Sequence, residues 1–155
     1  MTVTFDTELA IEAPPERVFS TMVGLVDADK WMKGFVGIER LTPGPPRVGS
    51  QFKETRKMMG RSATETFELT EYDPPRRFTL YVDGKKGTSG KGEFRFTYEV
   101  LPNGAGTRMR CHAEVTMPGA IANILGKLFK GLLKKVCDKD LFALKEWLEK
   151  EKSVA

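Results

Sequence analysis

The chain holds a single histidine, His112, and only two cysteines, Cys111 and Cys137. These scarcities remove whole classes of chemistry. Two cysteines cannot build a disulfide-dense secreted scaffold. No CxxC or HxxxH pair occurs, so the usual ligand spacing of a zinc site is missing and no metal is expected. Cys111 and His112 are neighbours on a predicted strand and point to opposite faces, which excludes a Cys–His dyad. No run approaches the roughly 18 uninterrupted apolar residues of a membrane span. The opening segment, MTVTFDTELAIEAPP, lacks the basic start and apolar run of a signal peptide, so a cytoplasmic location is expected. No cofactor motif is present, and none is expected.

What is there describes an ordinary globular chain. With 155 residues, 40 % hydrophobic and 30 % charged, positions 1–155 are expected to form one domain able to bury its own core. Ten Phe, three Tyr and two Trp are spread along it, which argues against disorder. The net charge of +4 is mild and permits an acidic ligand or surface without requiring nucleic acid, which is not expected as a partner.

Residues 3–12 alternate as a half-buried strand, with Phe5, Leu9 and Ile11 on one face and Asp6, Glu8 and Glu12 on the other. Pro14, Pro15 and Glu16 open a helix carrying Val18, Phe19, Met22 and Val23 at helical spacing. Gly24 is expected to end it, and Asp27 to cap a short second helix containing Trp31 and Met32. From Phe35 to Met117 the pattern predicts strands at 35–42, 48–58, 62–72, 76–83, 91–101 and 107–117. Short Gly- and Pro-bearing connections imply antiparallel neighbours. Residues 119–151 form a long amphipathic helix, with Ile121, Leu125, Leu128, Phe129, Leu132, Leu133, Val136, Leu141, Leu144 and Leu148 as its apolar stripe. The fold class is therefore α+β. A seven-stranded antiparallel sheet has one apolar face, two short helices follow the first strand, and the long helix covers that face. A strongly twisted sheet curled around such a helix encloses space.

This order resembles the SRPBCC, or START-like helix-grip, superfamily, which includes polyketide cyclase- and dehydratase-like proteins, START lipid carriers and plant pathogenesis-related proteins. The resemblance is carried by Ile11–Phe19 (IEAPPERVF), Trp31, Val48-Gly49, Glu71–Phe78 (EYDPPRRF) and Leu141–Lys145 (LFALK), and it spans essentially the whole chain. It implies a deep, mostly apolar cavity between sheet and long helix that holds a small hydrophobic ligand such as a lipid or polyketide.

Parity selects the inner face. Phe94, Phe96 and Tyr98 share a face, as do Met109 and Cys111, and Leu80 sits with Phe78 and Val82. Phe52, Met58 and Phe67 fall inward on the two preceding strands, and Leu125 and Phe129 face the sheet from the helix. Trp31, Phe35 and the turn Met58-Met59-Gly60 are candidates for the rim. On the same parity as Phe52, Met58 and Phe67 stand Glu54, Arg56 and Glu65. Charged groups inside must pair, protonate or meet water. They would either anchor a polar part of the ligand, form an internal salt bridge, or turn out at a bulge.

Three functions fit this pattern. The first is a carrier or sensor of a small apolar molecule. The second is a polyketide cyclase- or dehydratase-type enzyme, with Glu54 or Glu65 as acid or base, Arg56 polarising a carbonyl, and Tyr98 assisting. The third is an interaction module like the chaperone-activating relatives of the fold, with a filled core and an exposed apolar patch. The pattern leaves a homodimer open and predicts no stable membrane insertion. The loop Gly84–Gly92, rich in glycine and lysine, fails the phosphate-loop pattern and joins two strands, so it is expected to be a flexible hairpin connection. Lys127, Lys130, Lys134, Lys135 and Lys139 are expected on a solvated helix face.

Overall fold

The computed structural model describes residues 2–154, with side chains at 2–120 and 125–151. Ile121, counted in the helix stripe above, lies outside the described side chains. Strand β1 runs Thr2–Ile11, helix α1 Pro15–Gly24 and helix α2 Ala28–Trp31. Strands β2 Phe35–Arg40, β3 Gln51–Met58, β4 Arg61–Asp73, β5 Arg77–Asp83, β6 Glu93–Asn103 and β7 Gly106–Thr116 follow. Helix α3 spans Ile121–Val154, 34 residues, which is about 50 Å of helix.

All pairings are antiparallel, in the order β1-β7-β6-β5-β4-β3-β2, so the first strand closes onto the last. This is the α+β helix-grip arrangement that the patterning predicts. The alternation of β1 is literal. Phe5, Thr7 and Ile11 are buried, while Thr2, Thr4, Asp6, Glu8 and Ala10 are exposed. Between β3 and β4 the turn is two residues, Met59 and Gly60, both with positive φ (50° and 79°). That backbone matches the right-handed twist of the flanking strands, and Gly60 adopts it without a Cβ clash.

The corner between β1 and α1 is fixed from β7. Thr107, fully buried, donates from Oγ1 to the Ala13 carbonyl at 2.7 Å. Helix α1 ends at Gly24 with Leu25 in the left-handed region, its N–H bonded back to Met22 and Thr21. Asp27 does stand at the N-cap of α2, but its own backbone is left-handed and its side chain makes no capping bond there. The expected side-chain cap is therefore absent, since a capping residue ordinarily has an extended backbone and Asp27 does not.

Two regions divide the space under α3. Toward its C-terminal half, Leu141, Leu144 and Leu148 are 0–2 % exposed and belong to the same core as Val100, Met109, Cys111 and Val115. Toward its first half the helix stands off the sheet, and the space between is not filled by side chains.

Candidate ligand-binding site

That space is a cavity of about 290 Å³ between the sheet and the first half of α3. The sheet wall is aromatic. Phe52 and Phe67 stack in parallel (5.2 Å, 3°), and Phe78 stacks on Tyr98 (4.8 Å, 18°). These pairs follow from register, since Phe52 faces Phe67 across β3–β4 and Phe78 faces Tyr98 across β5–β6. Phe94 and Phe96 continue the wall, and Phe94 meets Phe129 of α3 at 6.3 Å. Trp31 closes one end. It is 4 % exposed, and its Nε1 donates to the Val26 carbonyl at 2.9 Å, which satisfies the indole while its ring lines the cavity. Leu80 and Met58 also line it, Met58 at an exposed edge (38 %).

Four of the residues expected at the site stand elsewhere. Met109 and Cys111 have the inward parity but no exposed surface, because the close-packed half of the core covers them. Phe35 packs against the edge of the core without reaching the cavity. Leu125 is 51 % exposed and lies one helical turn beyond Phe129, past the cavity's end. Parity identifies a face; it does not say where along that face the helix lifts away.

Glu54, Arg56 and Glu65 all line the cavity. Arg56 is held on two sides. Its Nε donates to Glu54 Oε1, and its Nη1 donates to Asp140 Oδ2 of α3 at 2.5 Å. All three side chains are largely buried, with exposures of 8 % for Glu54, 14 % for Arg56 and 16 % for Asp140. Asp140 Oδ1 also accepts the Lys33 backbone N–H at 3.3 Å. Burial raises the pKa of Glu54 and of Asp140, and the Arg56 charge only partly opposes this. Desolvation works against the Arg56 charge as well, but Glu54 and Asp140 together outweigh it and hold the proton more tightly than usual. Burial also raises Tyr98 well above the ordinary phenol value.

Glu65 has a different task. Its Oε1 accepts both the N–H and the hydroxyl of Ser89, at 2.7 and 2.6 Å. Thr88 adds two bonds to Thr64: its N–H donates to the carbonyl (2.9 Å), and its Oγ1 accepts the Thr64 N–H (2.8 Å). The 84–92 connection, expected to be a flexible loop, is therefore tied to β4 where that strand outruns its pairing with β5. Oε2 of Glu65 is buried without a hydrogen-bond partner among the described residues, against Gly87.

Several lining residues were not among the expected ones. Met22 comes from α1, Met32 from just beyond α2, Ala63 from β4 and Ser89 from the tied loop. Helix α3 adds Leu132, Leu133, Val136, Cys137, Asp140 and Leu141 to Phe129. Asp140 had a readable signal. It falls four residues after Val136 and seven after Leu133, hence on the inward stripe instead of among the solvated charges. His112 sits on the outer face, 38 % exposed, with Nδ1 2.9 Å from Asp6 Oδ1. No group of three or more potential metal ligands occurs among the described residues.

A curled sheet gripping a long helix, with an apolar chamber between them and a small charged cluster in its wall, defines a hydrophobic-ligand-binding fold. The family described as polyketide cyclase / dehydrase and lipid transport matches residues 2–149, and the chain belongs to it. Among solved structures, the chain is similar to the Zhui aromatase/cyclase from Streptomyces sp. R1128 (12 % identity, TM-score 0.79, covering 96 % of this chain and 94 % of that one). It is also similar to the TTHA0849 protein of Thermus thermophilus (22 %, TM-score 0.77, 96 % and 99 %). A third is the ginseng major latex-like protein 151 from Panax ginseng (10 %, TM-score 0.72, 95 % and 97 %). At these identities the likeness is one of fold. None of the curated proteins matches the chain in sequence.

Proposed function

We propose that the protein binds one small hydrophobic molecule between the sheet and α3 and acts as its carrier or sensor. The observation that carries this reading is the chamber itself. A space of about 290 Å³ walled by Phe52, Phe67, Phe78, Phe94, Phe96 and Phe129 has the size and polarity of a small-molecule site. Close-packed interiors do not leave such voids, since an unfilled apolar cavity forfeits packing contacts. The edge at Met58 and Leu132, 38 % and 45 % exposed, supplies an apolar way in. An interaction module with a filled core is disfavoured by the same chamber.

The test is native mass spectrometry of gently purified protein, followed by extraction of whatever it retains. The expected result is a single apolar molecule per chain. A protein that arrives empty and also fails to bind a neutral probe, N-phenyl-1-naphthylamine, would overturn the reading.

A second reading is a cyclase- or dehydratase-type enzyme. It is favoured by Glu54, a carboxyl whose pKa is raised by burial and which faces the chamber beside Arg56. Here Glu54 would exchange a proton with a bound carbonyl compound. Glu54→Gln would then abolish turnover of a substrate identified by extraction while leaving its binding within about threefold.

A further inference from the structure

The cavity wall is unbalanced in charge. Arg56 is the sole lysine or arginine among its described lining residues, whereas three carboxylates, Glu54, Glu65 and Asp140, line it. Arg56 uses Nε on Glu54 and Nη1 on Asp140. Glu54 binds Arg56 through Oε1 alone. The wall therefore carries more acidic groups than cations, in a chamber lined mainly by apolar side chains.

We propose that this cluster selects the ligand by charge, so that the chamber takes apolar amines in preference to apolar acids. This rests on the ligand-binding reading above and names the chemical class of its ligand. An ammonium group brings a second positive charge to a wall of three acids, and N–H donors for Glu54, which Arg56 engages through Oε1 alone. A carboxylate would add a further negative charge and more acceptors to a wall already rich in both. It would meet an Arg56 already neutralised by two carboxylates. The aromatic lining agrees, because the faces of Phe52, Phe67 and Trp31 attract cations and not anions. Burial raises the pKa of Glu54 and Asp140, and an ammonium at contact would favour their charged forms. The chain's overall +4 would draw acids from a distance, but salt screens that attraction over about 10 Å, while the cluster acts at contact.

The experiment compares ligands matched in tail and differing in head group. Decylamine, decanol and decanoate, each below its micellar concentration, compete with bound N-phenyl-1-naphthylamine at neutral pH. The expected order is amine, alcohol, acid, with at least about tenfold between the first and last. In the Glu54→Gln/Asp140→Asn double variant the gap between amine and acid should narrow to under about threefold. Should the double variant fail to fold, Glu54→Gln alone, which keeps the Arg56–Asp140 pair, should narrow the gap in the same direction. Decanoate competing as well as decylamine, or an undiminished gap in the variant, overturns the charge selection while leaving ligand binding intact. Failure of the neutral probe itself to bind sinks the ligand-binding reading first, and this inference with it.

Discussion

Arg56 on β3 reaches across the chamber to Asp140 on α3, with Nη1 2.5 Å from Oδ2, and so ties the sheet to the helix through an ion pair. On its own strand the same guanidinium holds Glu54. One cation thus compensates two buried carboxylates drawn from opposite walls. The arrangement is costly to break from the centre and cheaper to prune at the edge.

Arg56→Ala should therefore destabilise the fold by about 3–5 kcal/mol near neutral pH, because it strands two buried carboxylates. Glu54→Gln should cost much less, since the Arg56–Asp140 pair survives. Glu54 and Asp140 have folded-state pKa values raised above their ordinary 4.5 and 3.8, so the folded chain binds more protons than the unfolded one in the interval above those values. Stability contributed by these groups falls as pH rises through that interval. Removing Arg56 extends the interval upward, so the deficit of Arg56→Ala should shrink between about pH 7.5 and pH 5. Urea unfolding at the two pH values checks this. A deficit that stays constant or grows on acidification would contradict it.

Thr107→Val should cost about 1–3 kcal/mol in the same assay, since it leaves the buried Ala13 carbonyl without its 2.7 Å partner at nearly constant volume. A loss near zero would mean that the β1–α1 corner is held by backbone packing alone.

The tied loop gives a dynamic prediction. A Cβ at Gly87 would collide with Glu65 Oε2 and lie 2.7 Å from the Thr64 carbonyl. Gly87→Ala should therefore push the loop off β4 and speed hydrogen exchange at the Ser89 amide, which donates to Glu65 in the native fold. Exchange in β6 and β7 should not change. Unaltered protection at Ser89 would show that the loop is not held by these contacts.

Both cysteines should be inert in the native protein. Burial pushes the Cys137 thiol up to about 12 and Cys111 higher still. At pH 8 the Cys137 thiolate fraction is then about 10⁻⁴. A thiol-disulfide reagent such as Ellman's should titrate no thiol until denaturant is added, and both thereafter. Rapid native labelling would mean that the chamber opens to solvent more readily than the packing implies.

Alternation along β1, β5, β6 and β7 made the sheet and its inner face readable, and the spacing of leucines made α3 readable, because burial on one face imposes periods of two and of 3.6. Parity also put Glu54, Arg56 and Glu65 on the inward side, but the broken alternation of β3 and β4 left open a bulge that would turn them out. What stayed hidden depends on curvature. Met109 and Cys111 share the parity of the lining residues, yet α3 packs tightly over them and lifts only beyond Leu141 toward Phe129. Asp140 was concealed by its neighbours Asp138 and Lys139, which make the segment look solvated although position 140 follows the inward stripe. Glu65's grip on Ser89 joins residues 24 positions apart through a loop with no periodicity to read.

The central claim is that the chamber holds an apolar molecule. It is tested most directly by titrating N-phenyl-1-naphthylamine into the wild-type protein and into Ala63→Trp, which places an indole in the chamber from a half-buried position on β4. The account predicts saturable binding of one probe per chain in the wild type and a loss of at least about tenfold in the variant, with the unfolding temperature preserved. Binding that is equally strong in Ala63→Trp, or no binding by the wild type, would contradict it.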